Sequence, residues 1–329
     1  MENPPQAATI ASAMQAYLNM VAAARSQNTA RTYRNALEAF STTLLDNHLP
    51  THKTKIQDLP VDAIAWFAAS LKESSPATER LYLIATAGFY EYLAAERLSP
   101  DLNLPRLRLL IRQRSRRPGQ RLPQFPREDI ERVLDYAQNL VSCPSDSELI
   151  HILNLRDRAF ILTLADTGLR VHEACSLRRG QIDWNEGRAV IVGKGDKQAV
   201  VRFSKRSQKA LREYLDARAR LDGASGRPLT SLPLFARHDK GVGKKIKPIT
   251  TTTGRNIVAQ RVKEALGAEA AGVITPHSFR HYFVTTVLLG TGNLKLAQEL
   301  ARHSSIAVTQ RYAHLSNDEL DKGYRDVFE

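Results

Sequence analysis

The stretch RLRLLIRQRSRRPGQR (106–121) holds seven arginines and no acid in sixteen residues. A core does not tolerate that density of like charge, so the apolar segments on either side have to build separate cores. With Pro118, Gly119 and Pro123 close by, the stretch reads as an extended connector able to lie along phosphates. The expected organisation is a domain over 1–105, an arginine-rich linker over 106–121 and a second domain over 122–329. A chain of 329 residues is long enough for two cores.

Charge is shared unevenly between these parts. Residues 1–105 carry 8 Lys/Arg against 10 Asp/Glu, whereas residues 122–329 carry 32 against 24. The net charge of +13 therefore belongs to the linker and the second domain, and it points to a polyanionic partner. The mildly acidic first domain can share that partner only if Arg25, Arg31, Arg34, Lys53, Lys55 and Arg80 gather on one face. Cys143 and Cys175 are the only cysteines, too few for a disulfide framework or a Cys-rich zinc site, and they suit a reducing cytoplasm. No apolar run approaches the roughly 18 residues of a membrane span. The opening MENPPQAATI has no basic leader and no long apolar stretch, so neither membrane nor secretion is expected.

Apolar spacing through the first 105 residues is helical at Ile10–Val21, Thr32–Leu45, Val61–Leu71 and Thr78–Leu93. Asn28 or Thr29 is placed to cap the second helix, Asp62 falls in the first turn of the third, and Ser74-Ser75-Pro76 separates the last two. Beyond the linker, FPREDIERVLDYAQ (125–138) opens a second helical run, and Leu155–Asp166 is an apolar helix that stops at Gly168. The period then changes. QIDW, RAVIV and QAVVRF, joined by tight turns at 185–187 and 193–197, predict a three-stranded antiparallel sheet. Helix returns at Lys205–Leu221, a Gly/Pro/Lys-rich loop spans 223–248, and the remainder is helical.

Four short motifs carry the candidate chemistry: TGLRVHEACSL (167–177), VGKGDK (192–197), TPHSFRH (275–281) and ARHSSIAVTQRY (301–312). Thr275 and Pro276 make a helix start, which puts His277 in the first turn with Arg280 on the same face. A helix N-terminus also offers free amides to a phosphate. His277 and His281 are spaced like a metal pair, but the metalloprotease pattern needs Glu where Ser278 stands. Glu173, three residues after Arg170, is placed to orient its guanidinium for a bidentate grip on phosphate. Lys194, at the tip of a two-glycine turn, can reach into a cleft as a proton donor. His303 and Tyr312 lie nine residues apart, on opposite faces of one straight helix, so they meet only if the chain breaks between them. Ser304-Ser305 supplies that break. Tyr282 and Tyr324 are rival nucleophiles placed among apolar neighbours, which suits a core role better.

This set, in this order, resembles the tyrosine recombinase (phage integrase) family, with Xer-type recombinases and mobile-element integrases nearest. NTARTYRNALEAF and SPATERLYLIATAGFYEYL look like the first and last helices of that family's N-terminal core-binding domain. The resemblance implies a mainly α fold: a helical core-binding domain, then a mostly α catalytic domain with a small three-stranded antiparallel sheet. It casts Arg170, Lys194, His277, Arg280 and His303 as the phosphate cage, Tyr312 as the nucleophile and Glu173 as the supporting acid. Lys194, not Lys197, matches the general acid. One departure stands out, because the family usually has Gly where Arg302 precedes His303.

The implied reaction is metal- and ATP-independent cleavage and rejoining of DNA through a 3′-phosphotyrosyl link and a Holliday junction, with no cofactor. It would serve integration, excision or dimer resolution in a cytoplasmic, nucleoid-associated setting. The partners implied are a double-stranded recombination site and a homo-tetramer on synapsed DNA, with a second recombinase or DNA-bending accessory proteins left open. The candidate DNA contacts are Arg31 and Arg34, with Arg106, Arg108, Arg112, Arg114, Arg116, Arg117 and Arg121 of the linker. Ser316 is placed to cap a last helix with an apolar stripe of Leu320, Tyr324, Val327 and Phe328, expected to dock into a neighbouring subunit. Two alternatives remain: a type IB topoisomerase, which runs the same chemistry as a monomer, and a DNA-binding protein without catalysis.

Overall fold

Four helices of the first unit begin where a hydroxyl or amide side chain accepts from a free helix amide. The computed structural model describes residues 8–99, 102–116, 126–142, 147–192, 198–239, 245–270, 272–303, 305–310 and 325. The chain forms two units, Met1–Arg121 and Leu122–Glu329. In the first, α1 (Ile10–Ala24) is capped by Thr9, α2 (Gln27–Asp46) by Ser26, and α4 (Pro76–Ala95) by Ser75 with proline in its first turn. The α2 cap is thus Ser26 rather than Asn28 or Thr29; Thr29 instead donates its backbone N–H to the Ser26 hydroxyl. Asp62 stands at the N-cap of α3 (Ala63–Ser70), one residue ahead of its expected place. These helices close over an aromatic centre of Phe40, Phe67, Phe89 and Tyr90.

The connector reading fails over its first half. Residues Leu104–Arg114 form a helix, α5, capped by Asn103 and started by Pro105, which packs on α3 and α4. Leu107 is buried, with Leu104, Leu110 and Ile111 against the core, a helical stripe that the arginines between them obscure. Acids of the same unit neutralise those arginines. Arg106 Nη2 donates to both carboxylate oxygens of Asp62 at 2.8 and 2.9 Å, Arg108 meets Glu91 at 2.8 Å, and Arg116 grips the buried Glu79 at 2.6 Å. The acidic balance of residues 1–105 is in part the counter-charge of this helix.

The second unit is organised around α7 (Glu148–Thr167), thirteen of whose twenty residues are buried because α6 (Arg127–Asn139) and later helices cover its sides. It ends at Gly168, whose φ of +59° is the left-handed stop expected there; a Cβ would also strike the Phe283 ring. The short α8 (Val171–Ser176) follows at once. The sheet forms as predicted: β1 (Ile182–Asp183), β2 (Arg188–Val192) and β3 (Gln198–Arg202) pair antiparallel in the order β1-β2-β3, with Ile182 opposite Ala189 and Val190 opposite Val200. Gly187 makes the first turn at φ +60°, while the second, at 193–197, lies outside the described residues.

The helix expected over Lys205–Leu221 is interrupted, giving α9 (Lys205–Ala217) and α10 (Ala219–Gly223). Between them Arg218 is fully buried, paired with Asp222 and donating to the Pro233 and Leu234 carbonyls at 2.8 and 3.1 Å. α11 (Thr251–Leu266), α12 (Pro276–Thr291), α13 (Leu294–Ala301) and α14 (Ile306–Gln310) complete the described chain. A small second core of Val284, Leu288, Ala297 and Ala301 fastens α13 to α12. Fourteen α-helices and one three-stranded sheet among the described residues make the mainly α architecture that the resemblance implied. No described helix is long and apolar enough to cross a membrane.

Candidate active site

The left-handed stop at Gly168 turns the chain so that α8 begins three residues later, at Val171, with Arg170 as its N-cap. The Arg170 backbone N–H donates to Glu173 Oε2 at 2.8 Å, and its guanidinium meets Glu173 Oε1 at 3.0 Å. This is half of a capping box: the Glu173 carboxylate accepts from the N-cap amide, and the arginine side chain, which has no acceptor, also donates to it. Glu173 is 5% exposed and Arg170 is 43% exposed, so a buried carboxylate holds an accessible guanidinium. Burial works to raise the Glu173 pKa. The Arg170 amide and the charges of Arg302 and Arg170 outweigh it and hold the carboxyl below the usual range.

Arg280 comes from the next helical face. Thr275 and Ser278 cap α12 reciprocally, Pro276 sets its first turn, and Arg280 follows one turn in. Its side chain is 2% exposed and donates to the carbonyl oxygens of Gly168 and Ala301. The ends of α7 and α13 are therefore both tied to one guanidinium. Arg170, His277 and Arg280 line a single cleft of about 540 Å3, floored by α11 and by the starts of α8 and α12.

Three histidines stand close to these cations, and all are held neutral at pH 7. Partial burial and then the Arg280 and Arg170 charges push the His277 pKa down. His281, its ring 4.4 Å from that of His277, falls to about 4, by burial first and then through His277 and Arg280. His303 also falls to about 4, by burial, then Arg280, then Arg170. Thr309 orients the His303 ring through Nδ1 at 2.9 Å. Among the described residues, no three of His, Cys, Asp and Glu gather as metal ligands.

The break expected between His303 and Tyr312 is present, and it begins earlier than Ser304. α13 stops at Ala301, Arg302 takes the left-handed conformation at φ +58°, and α14 starts at Ile306. A side chain in that conformation costs about 1–2 kcal/mol, which is why glycine is favoured at such a stop. The Arg302 side chain turns inward, 11% exposed, and donates to the Gly168 carbonyl and to Glu173 Oε2, both at 3.2 Å. This inward course was not legible in the sequence.

The structure thus brings together Arg170, Glu173, His277, Arg280 and His303. Lys194 and Tyr312 lie outside the described residues, as do Arg117, Arg121, the rival Tyr324 and the last helix apart from Arg325. Tyr282 packs on the main core. Of the candidate DNA contacts, Arg34, Arg112 and Arg114 are exposed, Arg31 bonds Asn28 at 3.2 Å, and Arg106, Arg108 and Arg116 are engaged in ion pairs. His172, Arg255 and Asn256 also line the cleft and were missed, because no spacing in the sequence links α11 to α8.

Comparison with known proteins identifies the family of both units. Residues 125–319 match the phage integrase family, and residues 14–97 match the N-terminal SAM-like domain of phage integrases. The tyrosine recombinase XerC of Treponema denticola is 28% identical over 318 residues, 94% of this chain and 96% of that protein. XerC of Bacillus pumilus is 32% identical over 246 residues, 73% and 71% of the two chains. The XerH site-specific recombinase, solved on palindromic difH substrate after cleavage, shares the fold at 19% identity with a TM-score of 0.67, covering 98% of this chain and 85% of that one. The chain belongs to the phage integrase family of tyrosine recombinases.

Proposed function

We propose that this protein is a site-specific DNA recombinase that cleaves and rejoins duplex DNA with Tyr312 as its nucleophile. One observation carries the reading: Arg170 and Arg280, each held by buried acceptors, line one cleft with His277 and stand close enough to His303 to depress its pKa. A cationic cleft preorganised in this way stabilises the charge that builds on a pentacoordinate phosphorane.

The Tyr312 oxygen attacks the scissile phosphorus, an O–P bond forms, and the bond to the 5′ oxygen breaks. The phenol proton passes to a neutral histidine of the cage, for which the low pKa values of His277 and His303 leave a lone pair at pH 7. Lys194 protonates the departing 5′ oxygen. The 3′-phosphotyrosyl link keeps the bond energy, so a 5′ hydroxyl from a second duplex reverses the step. Two such exchanges within a tetramer on synapsed DNA, the first forming a Holliday junction and the second resolving it, recombine the two duplexes. A partner recombinase or a DNA-bending protein would act on that assembly. The named recombinase relatives favour this reading over a topoisomerase.

The test starts by selecting the binding site from a randomised duplex library and nicking it beside the scissile phosphate. The protein should form a covalent adduct on that duplex, and Tyr312→Phe should bind equally well without one. An adduct surviving in Tyr312→Phe would move the nucleophile elsewhere. Relaxation of supercoiled DNA without exchange between two sites would favour the topoisomerase.

A further inference from the structure

Arg302 is expensive for the fold in ways that a glycine would not be. It sits in the left-handed region at φ +58°, its guanidinium is largely buried, and its Nε and Nη1 have no hydrogen-bond partner among the described residues. What it gains lies at Glu173. The carboxylate is shared, with Oε1 taking Arg170 Nη1 at 3.0 Å and Oε2 taking both the Arg170 amide at 2.8 Å and Arg302 Nη2 at 3.2 Å. With Oε2 doubly occupied, Arg170 meets the carboxylate through one guanidinium nitrogen instead of the two-pronged fork this pair otherwise favours. Among the described residues, Arg170 Nε and Nη2 carry no hydrogen bond, and Arg170 lines the cleft.

The same guanidinium reaches the Gly168 carbonyl at 3.2 Å, which Arg280 also holds. Arg170, Glu173, Arg302, Gly168 and Arg280 form one connected chain of contacts, and His303 is the next residue after Arg302. The charge balance changes as well. With glycine at 302, Arg170 alone would pair with the Glu173 carboxylate; here Arg170 and Arg302 share it.

We propose that Arg302 is a positioning residue for phosphodiester cleavage: it takes Glu173 Oε2, limits Arg170 to a one-point contact, and leaves the other Arg170 donors for the scissile phosphate. This rests on the recombinase reading above. The contact that it invokes can also be read without cleavage.

Arg302→Gly, Arg302→Met and Arg302→Lys are compared in single-turnover cleavage of the nicked duplex at saturating DNA, with Tm and DNA affinity measured alongside. The Gly and Met variants should cleave about tenfold or more slowly, with Kd changed by less than about threefold. The Lys variant, whose ammonium can still reach Oε2, should recover most of the rate. Arg302→Gly should keep or exceed the parental Tm, because the left-handed strain is relieved, so its slow cleavage would not follow from instability. Carboxyl NMR of Glu173 should show its titration moved upward in Arg302→Met and restored in Arg302→Lys. Parental cleavage rates in both Gly and Met variants, or rate losses that track losses in Tm, would overturn the proposal. If the parent itself forms no adduct, the recombinase reading fails on its own. The Glu173 titration then decides: an upward shift in Arg302→Met supports the shared contact, and an unmoved one removes it.

Discussion

Glu173 shows how one buried side chain can organise a site that it does not line. It accepts from the N-cap amide of α8, fixes the Arg170 side chain and accepts from Arg302. Removing its charge would leave two arginines without their acceptor. The histidines are tuned by the same cations, and this fixes the sign of a pH effect on stability. His281 and His303 have folded pKa values of about 4, depressed from 6.5. Their contribution to stability is full above pH 6.5 and is lost as pH falls toward 4, because the unfolded chain takes up protons first. The urea midpoint should therefore drop between pH 7 and pH 5, and drop less in His281→Asn and His303→Gln. Equal drops in all three proteins would locate the titrating groups elsewhere. At the same scale, Lys194→Ala should slow cleavage of an ordinary phosphodiester but not of a 5′-bridging phosphorothioate, whose leaving sulfur needs no proton. Equal defects on both substrates would remove lysine from the acid role.

Among the elements, α5 changes most between sequence and structure. The arginines of α5 and just beyond it differ in their engagements: Arg106 and Arg108 of the helix and Arg116 after it have carboxylate partners within the first unit, whereas Arg112 and Arg114 lie exposed in the last turn of α5, where a cation also suits the helix dipole. Replacing Arg112 and Arg114 with alanine should therefore flatten the slope of log K against log salt, by about 0.9 for each lost phosphate contact. Arg106→Ala should leave the slope alone and lower Tm, since it leaves the α5–α3 contact without its ion pair. If Arg106→Ala flattens the slope and Arg112→Ala does not, the division between pairing and DNA-facing arginines is wrong. α7 and α12 act differently, as rigid supports: a helix buried on most sides ends at Gly168, and a capped helix start presents His277 and Arg280 to the same cleft.

For the whole molecule, assembly is the remaining question. We propose that the acidic segment after Ser316, with its apolar stripe of Leu320, Tyr324, Val327 and Phe328, joins copies of the chain head to tail in a ring of four. Deleting residues 317–329 should leave folding and single-site binding intact and abolish the synaptic complex, as read by native gels with two sites. A truncated protein that recombines at the parental rate would show that subunits join through another surface.

Helices, sheet order and the backbone of the candidate motifs at 167–177 and 275–281 were legible in the sequence because they rest on local rules: apolar period, cap residues, and glycine at a left-handed stop. Gly168 and Thr275-Pro276 are cases where a residue type and its neighbour determine the backbone outright. Three features needed the tertiary structure. The helix at Leu104–Arg114 depends on acids brought from α3 and α4, and local charge density argued against it. The interruption at Arg218 depends on carbonyls fifteen and sixteen residues away. The inward turn of Arg302 depends on Glu173, 129 residues earlier in the chain. In each case a long charged side chain found its partner across the fold. Its effect on the backbone was set by that distant acceptor, which no local window contains.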